Sequence, residues 1–102
     1  YIYKMKKSFV YLLSNKNNTV IYVGVTSNLI KRIFEHKTKK LKGFTSKYNC
    51  DKLVYFEGYS NINEAILREK QLKSGNRKRK EDLINTVNPD WEDLSTEWVF
   101  DF

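Results

Sequence analysis

The sequence is poor in several residue types that small proteins often depend on, with one cysteine, one proline and four glycines among 102 residues. A single cysteine excludes an internal disulfide and cannot alone form a thiolate metal site, which favours a reducing compartment. We interpret Cys50 as a small packing residue. The chain has no glycine-rich phosphate loop, no Cys/His zinc spacing and no serine nucleophile elbow. It also lacks a secretory leader and any long apolar run, so we expect a cytoplasmic protein with no membrane partner.

Positive charge is concentrated in the first half of the chain. Residues 1–47 carry eleven Lys or Arg against one acid, whereas residues 48–102 carry eight against eleven acids, so the net charge of +7 divides into +10 and −3. A polyanion such as DNA or RNA is the partner that this predicts, because neutralised phosphates release counterions. Lysines that serve only solubility are the alternative. The length predicts one domain spanning residues 1–102, and the oligomeric state is unknown.

The first half of the chain reads as strand, turn, strand and helix. Runs of β-forming residues at 9–13 and 20–25 flank a polar loop in which Asn17 and Asn18 tolerate left-handed turn geometry. Residues 26–28 offer capping side chains for a helix. Its apolar arc is formed by Leu29, Ile30, Ile33 and Phe34. Residues 1–7 are expected to enter the first strand from an exposed start.

This unit is predicted to bring four polar side chains together. Alternate residues of an antiparallel pair share a face, so Tyr11 and Tyr22 can project toward one patch, in a register that the sequence leaves open. Arg32 and His36 lie four residues apart on one edge of the helical arc. Two phenols, a guanidinium and an imidazole suit a phosphate ligand. For His36, a surface or capping role is the alternative.

Residues 52–59 form a third β-type run. We expect it beside the first strand, in a three-stranded antiparallel sheet flanked by helices. The fold class is then α/β, in the order strand, strand, helix, strand, helix, helix. The loop before this strand has room for one helical turn.

A glutamate interrupts the apolar face of the helix predicted after this strand. Asn61 or Asn63 caps the helix, and the face consists of Ile62, Ala65, Ile66, Glu69 and Leu72. An ionised carboxylate on a buried face requires a cation, which is an arginine, a lysine or a metal ion. An ion pair of Glu69 with Arg32 or Arg68 is the structural alternative to a metal site.

Two basic surfaces are candidates for nucleic-acid binding. The first consists of Lys31, Lys37, Lys39, Lys40, Lys42 and Lys47. Phe44 and Tyr48 lie among these lysines, where they either stack on an unpaired base or anchor the loop on the core. The second consists of Arg77, Lys78, Arg79 and Lys80. It begins a helix, so a bound anion would relieve its unfavourable charge, and a solvated helix start is the alternative.

The helix that carries the second basic surface has a predicted beginning, core side and end. Ser74-Gly75-Asn76 is expected to stop the preceding helix, with Gly75 able to take the left-handed conformation. The core side is formed by Leu83, Ile84 and Val87. Asn88-Pro89 ends the helix, because a residue before proline avoids helical geometry.

The C-terminal segment combines aromatic residues with acids and has no basic residue. We expect Trp91, Leu94, Trp98, Val99 and Phe100 to pack back on the sheet as a clasp. The acids Asp90, Glu92, Asp93, Glu97 and Asp101 are interpreted as solvated rather than as a metal cluster.

Several motifs, in order along the chain, resemble those of one family. VYLL around Tyr11, IYVG with Tyr22, and Arg32 beyond them resemble the signature of GIY-YIG nucleases. AILREKQLK at 65–73, KRKEDLI at 78–84 and NPDWEDL at 88–94 are similar to small single-domain endonucleases related to the excinuclease ABC nuclease subunit. The resemblance covers nearly the whole chain.

The resemblance implies a role for each candidate residue. Glu69 matches the glutamate that is the sole protein ligand of a divalent ion in these nucleases, which implies Mg²⁺ or Mn²⁺ as cofactor. Arg32 would neutralise the non-bridging phosphate oxygens. Tyr11 or Tyr22 would orient or deprotonate the attacking water, with His36 as the alternative base.

The chain departs from the excinuclease branch at two positions. Val25 stands where that branch has a lysine after the glycine, and Glu92 stands where it has an asparagine, for which Asn88 or Asn76 is the candidate replacement. Our hypothesis is a metal-dependent DNA endonuclease of DNA repair or processing with little sequence specificity. A non-catalytic nucleic-acid-binding module on the same fold, and an adaptor whose charges are only solvated, are the alternatives.

Overall fold

The computed structural model describes residues 6–100, which form three strands and four helices. They are β1 (Ser8–Ser14), β2 (Ile21–Thr26), α1 (Leu29–Lys37), α2 (Phe44–Lys47), β3 (Lys52–Tyr59), α3 (Ile62–Ser74) and α4 (Arg77–Val87). The predicted element order is confirmed, and α2 is the helical turn anticipated in the basic loop. Within residues 6–100 no helix is long and apolar enough to cross a membrane. The expectations for residues 1–5 and for Asp101 lie outside the described residues.

The strands form one antiparallel sheet in the order β2-β1-β3. This confirms the predicted place of the third strand beside the first. Tyr11 pairs with Gly24, and Leu13 pairs with Tyr22. Because residues two apart on a strand share a face, Tyr11 and Tyr22 lie on the same face of the sheet, as diagonal neighbours.

Each face of the sheet carries its own apolar layer. Val10, Leu12, Val23 and Val54 pack with Ala65 and Leu72 of α3 and with Ile84 of α4. On the opposite face, Tyr11 and Leu13 pack with Leu29 and Ile33 of α1, with Leu53 and with the buried Cys50. Two layers of this kind place the candidate tyrosines beneath α1.

Asparagines mark most of the element boundaries. Asn18 adopts the left-handed conformation in the hairpin loop, with a φ of 59°. The side chains of Asn28, Asn61 and Asn76 accept hydrogen bonds from the backbone of the first turns of α1, α3 and α4. The predicted stop at Gly75 is confirmed, since Gly75 caps the C-terminus of α3, but its φ of −78° is not left-handed. Asn76 begins the next helix at once, so the chain passes through Gly75 in an extended conformation.

Some apolar residues that helical spacing assigned to the core lie on the surface. Ile30, Ile62 and Val87 are exposed. In α1 the buried residues are Leu29, Ile33 and His36, a stripe one residue wide that leaves Ile30 outside it. Short helices that pack on a sheet along a single line of contact bury fewer residues than the periodicity permits.

The C-terminal segment packs against both layers, although not through every predicted residue. Trp91 joins the layer under α3 and α4, and Trp98 and Phe100 join the layer under α1. Leu94 and Val99 are exposed, and Val99 retains 82% of its accessible surface. These two assignments are wrong because the aromatic side chains already cover the available apolar surface.

Asp93 is the exception among the acids expected to be solvated. It forms an ion pair with Lys37, and its Oδ1 accepts hydrogen bonds from the backbone N–H groups of Leu53 and Ser95. The contact with Lys37 joins residues 56 positions apart. The segment is thus fixed to α1 and β3 by a partly buried carboxylate, so the solvated interpretation of Asp93 is wrong.

Candidate active site

The Tyr11 side chain lies across Gly24, its cross-strand partner. A Cβ atom at Gly24 would lie 2.3 Å from Tyr11 Cζ and 2.4 Å from the phenol oxygen. Any residue other than glycine would therefore displace the phenol. This role of Gly24 could not be predicted from the YVG triplet, because it depends on a strand register that the sequence leaves open.

Tyr11 belongs to a chain of buried polar contacts that runs from β1 through α1 to α2. Its oxygen lies 2.8 Å from His36 Nε2, and His36 Nδ1 lies 3.0 Å from Thr45 Oγ1. Tyr11, His36 and Thr45 are all buried. The surface interpretation of His36 is wrong, because the stripe that buries Leu29 and Ile33 continues to His36 on the next turn of α1. Thr45 was missed, since its contact is made across a loop.

Burial determines the protonation states of Tyr11 and His36. It raises the pKa of Tyr11 well above its ordinary value, and the neighbouring Tyr22 acts in the same direction, whereas Arg32 opposes both. Burial, assisted by the charge of Arg32, lowers the pKa of His36 to about 4. At neutral pH the phenol and the imidazole are both uncharged, which allows them to share a proton without burying an ion.

Arg32 carries the positive charge of the site. Its charge lowers the pKa of Tyr11, against the effect of burial. Arg32 Nε lies 3.2 Å from Glu35 Oε1, close enough for an ion pair but without the alignment of a hydrogen bond, and this buried nitrogen has no hydrogen-bond partner among residues 6–100. Because 37% of the side chain is exposed, an anion would be bound by guanidinium donors other than the buried Nε.

Tyr22 connects the buried chain to an exposed aromatic surface. Its ring lies 6.3 Å from Tyr11 and 5.7 Å from His36, measured between centroids. Phe44 stacks on its other side at 6.1 Å with an interplanar angle of 27°, and Tyr48 follows Phe44 at 4.7 Å. Phe44 and Tyr48 are 49% and 41% exposed. We call Tyr22, Phe44 and Tyr48 the aromatic ladder.

Glu69 is a mostly buried carboxylate on α3, with 15% of its side chain exposed. Its charge raises the pKa of Tyr11, which places it within electrostatic range of the phenol. The alternative of an ion pair with Arg32 or Arg68 is wrong, because its cation in the structure is Lys73, at 3.2 Å from Oε2. Lys73 is more than half exposed, so solvent weakens this pair.

Arg68 is engaged by a different carboxylate. Its Nε and Nη2 donate to the two oxygens of Glu57 on β3, at 2.9 and 3.1 Å. The hydroxyl groups of Tyr55 and Tyr59 donate to the same two oxygens. Four donors saturate this carboxylate, so the Glu57 cluster joins α3 to β3 and is not available to a ligand.

The donor set is compatible with a hydrated divalent ion. Residues 6–100 contain no group of three or more His, Cys, Asp or Glu side chains that would hold a metal. Glu69 Oε1 has no partner within the described part of the chain, so one hard oxygen is available. Magnesium keeps most of its water and is commonly bound through one or two carboxylates, which this arrangement fits, whereas zinc prefers several nitrogen or sulfur ligands.

The predicted basic residues fall into two groups. Some are already engaged: Lys37 with Asp93, Lys39 with Asp51, Arg77 with Glu81 and the backbone of Asn18 and Thr19, Lys78 with Asp82, and Lys80 with the Gly75 carbonyl. Lys40 and Lys47 lie over the rings of Phe34 and Tyr48. The side chains of Lys31, Lys42 and Arg79 make no ion pair or hydrogen bond to any residue in the range 6–100. The loop that carries Phe44 and Tyr48 thus has three lysines whose side chains make no ion pair or hydrogen bond among residues 6–100, namely Lys40, Lys42 and Lys47, whereas the start of α4 has only Arg79 in that state.

The two departures from the excinuclease branch are also explained by the fold. Val25 is partly buried in the layer under α3 and α4, on the face of the sheet that does not carry Tyr11. A lysine at this position would therefore point away from the phenol. Asn88 bonds the backbone of Val54 and Glu92, and Asn76 caps α4. Both candidate asparagines are thus used within the fold.

A three-stranded antiparallel sheet covered by helices makes this a small α/β protein, and Tyr11, Tyr22 and His36 lie together on the face under α1. The family model described as the GIY-YIG catalytic domain matches residues 7–82. The chain belongs to the GIY-YIG family, whose members are in general endonucleases that bind nucleic acid.

Relatives of the same size support this assignment. The chain is 35% identical over 80 residues to a UPF0213 protein of Staphylococcus haemolyticus, which covers 78% of this chain and 96% of the relative. It is 38% identical over 79 residues to a UPF0213 protein of Clostridium perfringens, with coverage of 78% and 84%. The NMR structure of a UPF0213 protein from Bacillus halodurans matches with a TM-score of 0.54 and 25% identity, over 88% of this chain and 96% of that one.

Proposed function

We propose that this protein is a metal-dependent DNA endonuclease that hydrolyses phosphodiester bonds with little sequence specificity, in DNA repair or processing. The observation that carries the proposal is the buried hydrogen bond between Tyr11 and His36 beside the Arg32 charge. Phosphodiester hydrolysis needs a path for the proton of the attacking water and positive charge for the phosphoryl oxygens. This pair and its neighbour are able to supply both.

The proton path begins at Tyr11. Because a phenol O–H is a stronger donor than an imidazole N–H, Tyr11 directs its proton to His36 Nε2, 2.8 Å away, and its oxygen remains an acceptor. In the proposed step a water transfers a proton to the Tyr11 oxygen while Tyr11 transfers its proton to His36. No phenolate accumulates, which agrees with the raised pKa of Tyr11.

Arg32 and the lysines handle the charge of the substrate. The Arg32 guanidinium, whose side chain is 37% exposed, would bind the non-bridging oxygens of the scissile phosphate. Lys42 and Lys47 are suited to flanking phosphates, and the exposed rings of Phe44 and Tyr48 offer a stacking surface for an unpaired base. With its ring against Phe44, Tyr22 would orient the nucleotide next to Tyr11.

Glu69 is the residue that would hold Mg²⁺ or Mn²⁺. A bound divalent ion supplies stabilisation of the leaving oxygen. The Glu69 carboxylate, whose one ion-pair partner among residues 6–100 is the exposed Lys73, would balance part of the charge of the ion. Glu69 would take no part in moving the proton of the water.

The test is cleavage of supercoiled plasmid and of labelled single-stranded, duplex and branched DNA and RNA in Mg²⁺, Mn²⁺ or EDTA. We expect metal-dependent nicking by the parent protein and its loss in Glu69→Gln. The matched control is Glu64→Gln, an exposed glutamate on the same helix, which should cut at the parental rate. Folding of each variant is checked by thermal unfolding.

Two outcomes would contradict this proposal. If Glu69→Gln stays folded and cuts as fast as the parent, the assignment of the metal site is wrong. If the parent binds DNA in a salt-dependent manner but cuts nothing in the panel, the protein is a non-catalytic nucleic-acid-binding module instead.

A further inference from the structure

Thr45 is the one buried residue of α2. Its neighbours Phe44 and Lys47 belong to the surface proposed for DNA. Thr45 points the other way, with Oγ1 at 3.0 Å from His36 Nδ1. A hydroxyl placed against the second ring nitrogen of a proton acceptor influences which nitrogen carries the proton.

The fold holds Thr45 in place through its backbone. Gly43, with a φ of 118°, lets the chain enter α2 in a conformation that other residues rarely adopt. The Thr45 carbonyl then accepts a hydrogen bond from the Cys50 N–H at 2.9 Å, and Cys50 is part of the layer under α1. The hydroxyl position is thus determined by the backbone and by the core.

The donor and acceptor strengths of Tyr11 and His36 determine the direction of the hydrogen bonds that join Tyr11, His36 and Thr45. A phenol O–H is a stronger donor than an imidazole N–H, and an imidazole nitrogen is a better acceptor than a phenol oxygen, so the phenol proton is directed to His36 Nε2, 2.8 Å away. A neutral imidazole that accepts at Nε2 carries its proton on Nδ1, and the group that faces Nδ1 is the Thr45 hydroxyl. The lowered pKa of His36 agrees with the neutral ring that this direction requires.

We propose that Thr45 is a positioning residue that holds His36 as the Nδ1–H tautomer, with Nε2 free to receive the proton of Tyr11. The catalytic consequence rests on the proposed endonuclease function, whereas the tautomer itself does not. In the other tautomer Nε2–H faces the phenol, and His36 cannot receive its proton. Thr45 would then control turnover without touching the substrate.

The experiment is ¹⁵N NMR of the protein labelled at histidine, without DNA or metal, for the parent, Thr45→Val and Thr45→Ser. His36 is the only histidine, so the signals need no residue assignment, and Nδ1 and Nε2 are distinguished by their couplings to the ring protons Hδ2 and Hε1. We expect a protonated Nδ1 and an unprotonated Nε2 in the parent. Thr45→Val should move the ring toward the Nε2–H tautomer, and Thr45→Ser should retain the parental spectrum. Thr86→Val, which removes an exposed hydroxyl from α4, is the control and should leave the spectrum unchanged.

Cleavage provides the second readout. We expect Thr45→Val to lower kcat about tenfold, as for the loss of one hydrogen bond, with KM for DNA unchanged and with activity restored in Thr45→Ser. An Nε2–H tautomer in the parent, or an unchanged spectrum in folded Thr45→Val, overturns the proposal. If Thr45→Val does not fold, the parental tautomer alone decides. Because the spectrum requires no cleavage, a failure here is distinct from a failure of the endonuclease proposal.

Discussion

Replacing Gly24 with alanine tests whether the Tyr11 phenol must lie where the structure places it. The added Cβ would lie 2.3 Å from Tyr11 Cζ, whereas ordinary contact begins near 3.4 Å, so the ring has to move by about 1 Å. A shift of that size breaks the 2.8 Å contact with His36. Misplacement of a reacting group by about 1 Å costs roughly 100-fold in rate, and overpacking of a core costs about 1–3 kcal/mol of stability.

The assay combines thermal unfolding, the His36 ¹⁵N spectrum and plasmid nicking for Gly24→Ala. Gly75→Ala is the matched control, because its φ of −78° suits any residue and a Cβ there would first meet the flexible Arg79 side chain, at 3.2 Å, and should cost much less. Adding Tyr11→Leu to Gly24→Ala removes the ring that the new methyl group meets, so the stability cost of the alanine should decrease in this background. A folded Gly24→Ala variant with parental nicking and an unchanged His36 spectrum would refute the reasoning.

Three further predictions concern acid stability, the C-terminal segment and DNA binding. The pKa of His36 falls from 6.5 in the unfolded chain to about 4 on folding, so the unfolded chain binds more protons than the folded one below pH 6.5. As a result, about 3 kcal/mol of the unfolding free energy is lost between pH 6.5 and 4. Denaturant unfolding across that range checks this, and a His36→Gln variant with the same pH dependence would contradict it. Asp93→Ala should lower the unfolding free energy by about 2–3 kcal/mol, because the Leu53 N–H, Ser95 and Lys37 lose their acceptor. A Tm within error of the parent in thermal unfolding would show that this carboxylate does not stabilise the C-terminal segment. Lys42→Gln should weaken binding to all DNA sequences alike and reduce the slope of log affinity against log salt by about 1; an unchanged slope in salt titrations would remove Lys42 from the DNA surface.

Local patterns in the sequence were sufficient for the elements and for much of the candidate site. Strand alternation allowed Tyr11 and Tyr22 to share a face, which the observed register confirms, and asparagine caps located the starts of α1 and α3. These features depend on residues close in sequence, which a periodicity can describe. The place of Glu69 on a buried face followed from the same kind of reasoning.

Contacts between distant residues were not predictable in the same way. The contact of Tyr11 with Gly24 depends on strand register, and the contact of His36 with Thr45 depends on how a loop folds back over α1. Asp93 looked like a solvated acid because its partner Lys37 is 56 residues away. Ile30 was misplaced because periodicity gives an apolar arc but not the width of the surface that covers it.

The Glu57 cluster has a consequence for how this protein tolerates sequence change. Arg68, held on both oxygens of Glu57, precedes Glu69 directly, so the two side chains leave α3 about 100° apart around its axis. One residue inserted earlier in α3 would turn the helix by the same angle and advance it by about 1.5 Å, separating Arg68 from Glu57 or Glu69 from the phenol. Point substitutions at exposed Leu67 or Lys70 impose no such rotation. Within α3, insertions and deletions should be rare during divergence, while the outward face is free to drift.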